Sequence, residues 1–217
     1  EFAINAKEWV HFPGSPHVYN GGNIGCGIVT DSDGVLIVDI DGDGRSYASM
    51  EALRKATVHW VGDRNGSVNA PALSQYAAQM VGFNLLGGIY SYGQNGGVAE
   101  LTISAKLQVA ALEALGDQKG TVGIYNYKTG ALVCAVTSPS YDPDNVPDIS
   151  ADELGIYEGI YLNRFTQSVY IPGSIFKIVT LAAALEEDPS LADRTFVCTG
   201  TYRIGEHEIV CEGAHWE

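Results

Sequence analysis

Positive charge is what this chain has least of. It carries 12 Lys plus Arg against 26 Asp plus Glu, a formal charge of −14 over 217 residues. A surface of that sign repels a polyanion such as DNA and an anionic bilayer surface alike, which excludes nucleic-acid binding. Long apolar runs are also missing: the longest, such as Leu181 to Leu185, fall far short of the ~20 residues a membrane helix needs. The first residue is Glu1 rather than Met, and no basic stretch with an apolar core follows it. The expectation is a piece of a longer gene product, with any targeting segment or membrane anchor outside it. Cysteine is sparse. Cys26, Cys134, Cys198 and Cys211 fit neither a disulfide-dense miniature scaffold nor a paired C-x-x-C zinc site. Apolar residues are plentiful at 46%, enough to bury a core in one large or two modest domains. Glycine is abundant, 26 residues, which predicts many turns and bent strands.

Glycines crowd residues 21–44 and 82–97, and between them lie two segments of helical composition, Glu51 to Lys55 and Pro71 to Met80. Ile24 to Thr30 and Val35 to Asp39 flank Asp31-Ser-Asp-Gly34, which reads as a strand, a turn and a strand. Leu101 to Ser104 reads as a short strand, with Ser104 capping a helix over Ala105 to Leu115 that stops at Gly116. Thr121 to Tyr127 and Ala131 to Thr137 form a second predicted hairpin, whose near-continuous apolar second strand predicts burial on both faces. A turn-rich loop covers Ser138 to Asn145. Pro172-Gly173 then break the chain before a clean helix from about Ser174 to Glu187, and Thr195 to Val210 reads as β with bends at Gly200 and Gly205. The change of texture predicts a boundary near residue 97, with an irregular β-rich module over 1–97 and an αβ module over 98–217.

Ser174 and Lys177 are three apart, which on a helix places both side chains on one face. A serine hydroxyl becomes a nucleophile when a base takes its proton. A lysine serves as that base once burial and the positive end of the helix dipole disfavour its ammonium form. The same turn aims the backbone N–H of Ser174 at an oxyanion. Chance alone supplies fewer than one Ser-x-x-Lys in a chain of this composition, so the bare spacing does not decide the matter. The apolar neighbours Ile175, Phe176, Ile178 and Val179 favour a buried lysine with a task over a solvated one.

The stretch Tyr170-Ile-Pro-Gly-Ser174-Ile-Phe-Lys177-Ile-Val-Thr-Leu-Ala-Ala-Ala-Leu185-Glu resembles the active-site serine helix of penicillin-binding protein transpeptidases. Upstream, in the same order as in that family, stand Leu101-Thr-Ile-Ser-Ala-Lys-Leu-Gln108, Lys128-Thr-Gly-Ala-Leu132, Ser138-Pro-Ser-Tyr-Asp-Pro143 and Asn163-Arg164. Gly25 to Gly34 and Ala56 to Gly62 are similar to the N-terminal pedestal of the class B, monofunctional members. The resemblance implies an α+β fold: a mostly β pedestal over 1–97, then over 98–217 the first part of a serine penicillin-recognising αβ domain. It implies a peptidoglycan D,D-transpeptidase at the extracytoplasmic face of the bacterial membrane, with no cofactor. Ser174 would be acylated by a D-Ala-D-Ala stem peptide or by a β-lactam, Lys177 would be the general base, and cell-wall synthesis proteins would be partners. Two other readings stand beside it. One is a non-catalytic scaffold within a cell-wall complex; the other is a β-lactam sensor or D,D-carboxypeptidase relative, against which the pedestal argues.

The family also uses a Ser-x-Asn loop and a Lys-Thr-Gly strand after the serine helix, for the proton relay, the second oxyanion N–H and the substrate carboxylate. Neither follows Lys177. Ser67-Val68-Asn69 and Lys128-Thr129-Gly130 match the strings but precede Ser174, so both are read as structural. The chain is expected to end before these motifs and not to crosslink by itself. Near its end His215 stands where the family has a His-Gly pair, with Trp216 in place of Gly. Asp39-Ile-Asp-Gly-Asp43-Gly44 resembles half a calcium loop, but Met50 holds the twelfth position and an acidic solvated turn is preferred. His207, Cys211 and His215 would converge on zinc only if helical; the β-branched, Gly-containing segment favours a strand and no metal. Cys198 and Cys211 flank a plausible hairpin and, outside the cytoplasm, are a candidate disulfide. Cys134 is read as a packed thiol. Tyr157, Tyr161 and Tyr170 line a groove or simply pack.

Overall fold

The computed structural model describes residues 27–41, 44–81 and 96–211. Cys26, His215 and Trp216 lie outside these. The chain divides into two units, Glu1–Ser168 and Val169–Glu217, and each is described by itself.

In the first unit β1 (Gly27–Thr30) and β2 (Leu36–Asp41) form the predicted hairpin, antiparallel with Val29 opposite Val38. Asp31 builds the turn: its Oδ1 accepts from the N–H groups of Asp33 and Val35, both at 2.8 Å. β3 (Gly44–Tyr47) pairs antiparallel with β2, and β4 (Val98–Glu100) pairs parallel with β1, giving the order β3-β2-β1-β4. The strand predicted at 101–104 therefore sits three residues earlier. Leu101 still donates to the Thr30 carbonyl, but by Ser104 the chain has crossed to a new partner, the Val133 carbonyl. A strand cannot stay paired while it changes sheets.

Two 11-residue helices, α1 (Glu51–Val61) and α2 (Pro71–Val81), accompany this sheet. Met80, Leu73 and Ala77 of α2 close the core over Val29, Ile37, Val38 and Ala99. α1 has more than one inward face. Its Val61 enters this core, Ala56 a second with Ala111, Cys134 and Val136, Val58 a third with Tyr141 and Ile160, and Leu53 a fourth with Ala48 and Ala105. The helix runs well past Lys55 because the β-branched Thr57, Val58 and Val61 are buried, and that burial outweighs their modest helix propensity.

α3 (Ala105–Leu115) ends at Gly116 as the sequence predicts. Ser104 holds the N-cap position but makes no side-chain cap bond. Asp31, from the β1–β2 turn, accepts the Ala105 N–H at 2.8 Å instead. The carboxylate that shapes the first hairpin thus also supplies an acceptor at a helix start, where negative charge is favourable. β5 (Gly120–Tyr125) and β6 (Leu132–Ser138) form the second hairpin, with Cys134 to Ser138 buried. Gln108 locks α3 to it: Nε2 donates to the carbonyls of Ala56 and Ala135, both at 3.1 Å, and Oε1 accepts the Ala135 N–H at 2.6 Å. A short helix α4 (Arg164–Gln167) is capped by Asn163, whose Oδ1 accepts from Phe165 and Thr166 while its Nδ2 donates to the His59 carbonyl at 3.1 Å.

The second unit begins at Val169. A 3-10 turn, Gly173–Phe176, leads into α5 (Lys177–Glu187), followed by a further 3-10 turn, Pro189–Asp193. The predicted β tail is a hairpin of β7 (Thr201–Ile204) and β8 (His207–Val210), bent at Gly205. Among the described residues no helix is long and apolar enough to cross a membrane.

Candidate active site

Helical geometry at Ser174 differs from the expectation of an α-helix starting there. Ser174 lies inside the 3-10 turn and Lys177 is the first residue of α5. The turn is opened by Gly173 at φ +52, a left-handed conformation that a residue bearing a Cβ adopts at a cost. The N–H of Ile175 bonds to the Pro172 carbonyl at 3.1 Å and that of Lys177 to the Ser174 carbonyl. In a 3-10 turn side chains at i and i+3 eclipse. Ser174 within this turn and Lys177 at the start of α5 keep the i, i+3 relationship that the spacing implies.

The burial expected around Lys177 is not formed by the described residues. Lys177, Ile178 and Val179 are all exposed, as are Ile175, Phe176 and Leu181. The physical reason is that the principal neighbours of α5 within its unit are the two short 3-10 turns flanking it. Apolar side chains on a helix desolvate a lysine only when another element covers them.

Lys177 does line a cleft of about 620 Å³, together with Val197 to Tyr202 and Ile209 to Cys211. Cys198 and Cys211 are both thiols on that lining. The neighbouring Cys198 thiol and burial push the Cys211 thiol up, and the nearby Lys177 charge pulls the other way. His207 lies on strand β8 rather than a helix, and among the described residues no cluster of three metal-ligating side chains exists. Of the acidic run, Asp39 and Asp41 are residues of β2, Asp41 Oδ1 accepts the Gly44 N–H at 3.1 Å, and Asp43 lies outside the described residues.

Both rejected strings are structural. Lys128-Thr129-Gly130 forms the β5–β6 turn, where Thr129 Oγ1 accepts the Ala131 N–H at 3.2 Å. Ser67-Val68-Asn69 follows α1: the Ser67 N–H bonds to Asp63 Oδ1 at 2.8 Å and Val68 is buried. Tyr157 and Tyr161 pack against Val58 and Ile160, with Tyr161 edge-on to Tyr141, whereas Tyr170 is exposed. Cys134 is buried, and burial pushes its thiol up. The polar residues that carry the fold, Gln108, Asp142, Asn163 and Arg164, all lie in stretches that carried the family resemblance. Arg164 donates to the carbonyls of Ser138 at 3.0 Å and Glu158 at 2.8 Å. Their partners are distant in sequence, so spacing gave no signal of these roles.

Residues 120–213 match the family model for the penicillin binding protein transpeptidase domain. This part of the chain is similar to the penicillin-binding protein transpeptidases. Over 103 residues the chain is 37% identical to peptidoglycan D,D-transpeptidase PbpA of Mycobacterium tuberculosis, covering 42% of this chain and 21% of that protein. Over 124 residues it is 32% identical to a probable peptidoglycan D,D-transpeptidase FtsI of Caulobacter vibrioides, covering 54% and 20%. The chain thus spans about a fifth of the length of these relatives. Among solved structures, the D,D-transpeptidase domain of a peptidoglycan glycosyltransferase from Eggerthella lenta is similar over 85% of this chain and 42% of its own, at 28% identity and a TM-score of 0.61. Pseudomonas aeruginosa PBP2 in complex with WCK 5153 is similar over 86% and 45%, at 25% identity and a TM-score of 0.55. The mixed helices and strands of this chain are consistent with the α+β fold of these transpeptidase domains.

Proposed function

We propose that this chain is part of a class B peptidoglycan D,D-transpeptidase in which Ser174 is the acylated nucleophile and Lys177 its general base. The observation that supports the reading is the i, i+3 spacing of these two residues across the Gly173–Phe176 turn and the start of α5, inside the span that matches the transpeptidase family. Ser174 Oγ attacks the carbonyl of the penultimate D-alanine as Lys177 Nζ takes the hydroxyl proton. The C–N bond breaks, D-alanine leaves with a proton on its amine, and an acyl ester remains on Ser174. The amine of a neighbouring stem peptide then attacks that ester and forms the crosslink. A β-lactam enters by the same attack and stays as the opened-ring ester.

The family assignment and the relatives' names support a location at the extracytoplasmic face of the membrane, in company with other cell-wall synthesis proteins. The test is covalent labelling of the full-length protein with a penicillin, read by mass spectrometry of the Ser174 peptide. The adduct is expected on Ser174 and absent after Ser174→Ala. Lys177→Arg, which keeps the charge but cannot act as base at neutral pH, should lower the labelling rate by about 10²-fold or more. Equal labelling of the parent and Ser174→Ala defeats the assignment.

A further inference from the structure

The β7–β8 hairpin brings two thiols together beside the lysine of the candidate active site. Thr201 pairs with Val210, and beyond that pair the Cys211 N–H bonds to the Gly200 carbonyl at 2.8 Å. Gly200, at φ +83, turns the incoming chain so that Cys198 lies along the same edge. Cys198 is exposed and Cys211 half-buried. Both line the Lys177 cleft. Cysteines at the two ends of one hairpin form a disulfide when side-chain rotation brings their sulfurs to bonding distance.

We propose that Cys198 and Cys211 are a redox-active pair, which closes to a disulfide by exchange with a small disulfide and thereby stiffens the wall of the cleft that holds Lys177. The chemistry balances with glutathione disulfide as oxidant. The exposed Cys198 thiolate attacks one of its sulfurs, forming a mixed disulfide and releasing one glutathione thiolate. Cys211 then gives up its proton to solvent, attacks Cys198 Sγ and displaces the second. The protein dithiol loses two electrons, and one glutathione disulfide becomes two glutathione thiols. Cys134 is fully buried in the other unit and does not compete for the oxidant. The bond ties the two ends of the hairpin, from 198 to 211, and so removes open conformations of the segment that lines the cleft. A cleft wall already in place spares a bound acyl donor the cost of ordering it, so the disulfide form acylates faster.

The effect on acylation rests on the Ser174 and Lys177 reading, whereas closure of the disulfide does not. The full-length protein is equilibrated with graded ratios of glutathione to glutathione disulfide, alkylated, digested and analysed by mass spectrometry. The same samples are followed by amide hydrogen exchange and by labelling with a fluorescent penicillin. Expected are a Cys198–Cys211 linked peptide, exchange of the Thr201–Val210 amides slowed by about tenfold or more, and penicillin acylation about two- to fivefold faster in the disulfide form. The Cys198→Ser, Cys211→Ser double variant should acylate at one rate whatever the ratio. Cysteines that stay alkylatable throughout, or a disulfide that leaves hairpin exchange unchanged, overturn the proposal. Equal acylation in both redox states overturns its link to the cleft. No label on Ser174 in either state defeats the catalytic reading alone and leaves the disulfide result standing.

Discussion

Arg54 grips Asp142 across 88 residues of sequence by two parallel hydrogen bonds, Nε to Oδ1 at 2.8 Å and Nη2 to Oδ2 at 2.7 Å. The fork matches the carboxylate as only a guanidinium can. It fastens α1 to the loop after β6, and the same Arg54 also donates to the carbonyls of Ala48 and Ser49. Arg54 holds the Asp142 carboxyl below the usual carboxylate range, against the opposing effect of burial.

Breaking this pair leaves the Arg54 guanidinium with only the more exposed Asp144 carboxylate, 3.4 Å from Nε, and the Ala48 and Ser49 carbonyls. Asp142→Asn should destabilise the chain by about 2–4 kcal/mol, and Arg54→Lys, which offers a point charge in place of a fork, by about 1–2 kcal/mol. Urea denaturation followed by tryptophan fluorescence measures both. A loss under about 0.5 kcal/mol for Asp142→Asn would show that the pair contributes no more than a solvated surface contact.

His59 gives the unit a pH dependence of its own. Its Nε2 lies 2.8 Å from the Ile160 carbonyl, an acceptor, so this nitrogen carries the proton of a neutral ring. Burial pushes the His59 pKa below 6.5, the bond to Ile160 opposes that shift, and Arg164 adds to it. The unfolded chain takes up a proton near pH 6.5 that the native state refuses. Stability is therefore full above that pH and falls as pH drops below it. Between pH 6.5 and 5 the unfolding free energy should decline by about 1 kcal/mol per pH unit. His59→Gln keeps a donor for Ile160 but cannot titrate, and should flatten the decline. An unchanged slope in that variant would assign the effect to other groups.

Local chemistry made much of this fold legible. The Asp31-to-Gly34 turn, the stop at Gly116, the Lys128-to-Gly130 turn and the break at Pro172-Gly173 are all set by residues whose backbone preferences act within a few positions. The i, i+3 relation of Ser174 and Lys177 was equally legible, because that spacing survives whether the turn is α or 3-10. What stayed hidden depends on partners far along the chain. Asp31 supplies the acceptor at the start of α3 from 74 residues away, which left Ser104 as the visible but inactive cap. α1 continues through β-branched residues because four separate cores need it. The cover for the apolar face of α5 is a tertiary property that helical periodicity announces and cannot supply.

Among the described residues, Tyr141 and its neighbours Asp63 and Arg45 hold the buried side-chain polar atoms left without hydrogen-bond partners. The ring is buried, and its hydroxyl has no hydrogen-bond partner among the described residues; the same holds for Asp63 Oδ2 and for Arg45 Nε and Nη2. Burial, with the Asp63 charge behind it, pushes the Tyr141 phenol up, so the group stays neutral. Arg45 Nη1 is satisfied by the carbonyls of Val61 at 3.0 Å and Asp63 at 2.9 Å. A buried tyrosine hydroxyl with a partner costs about 1 kcal/mol or more to delete, whereas an unpartnered one costs nothing and its removal relieves desolvation. Tyr141→Phe should therefore leave the unfolding free energy within about 0.5 kcal/mol of the parent or raise it. Asp63→Ala, which also strips the acceptor from the Ser67 N–H, should lower it by about 1–3 kcal/mol. Equilibrium denaturation of the three proteins at pH 7.5 decides the point. A loss above about 1.5 kcal/mol for Tyr141→Phe would mean that the hydroxyl is held by an internal water bridging it to Asp63 and Arg45.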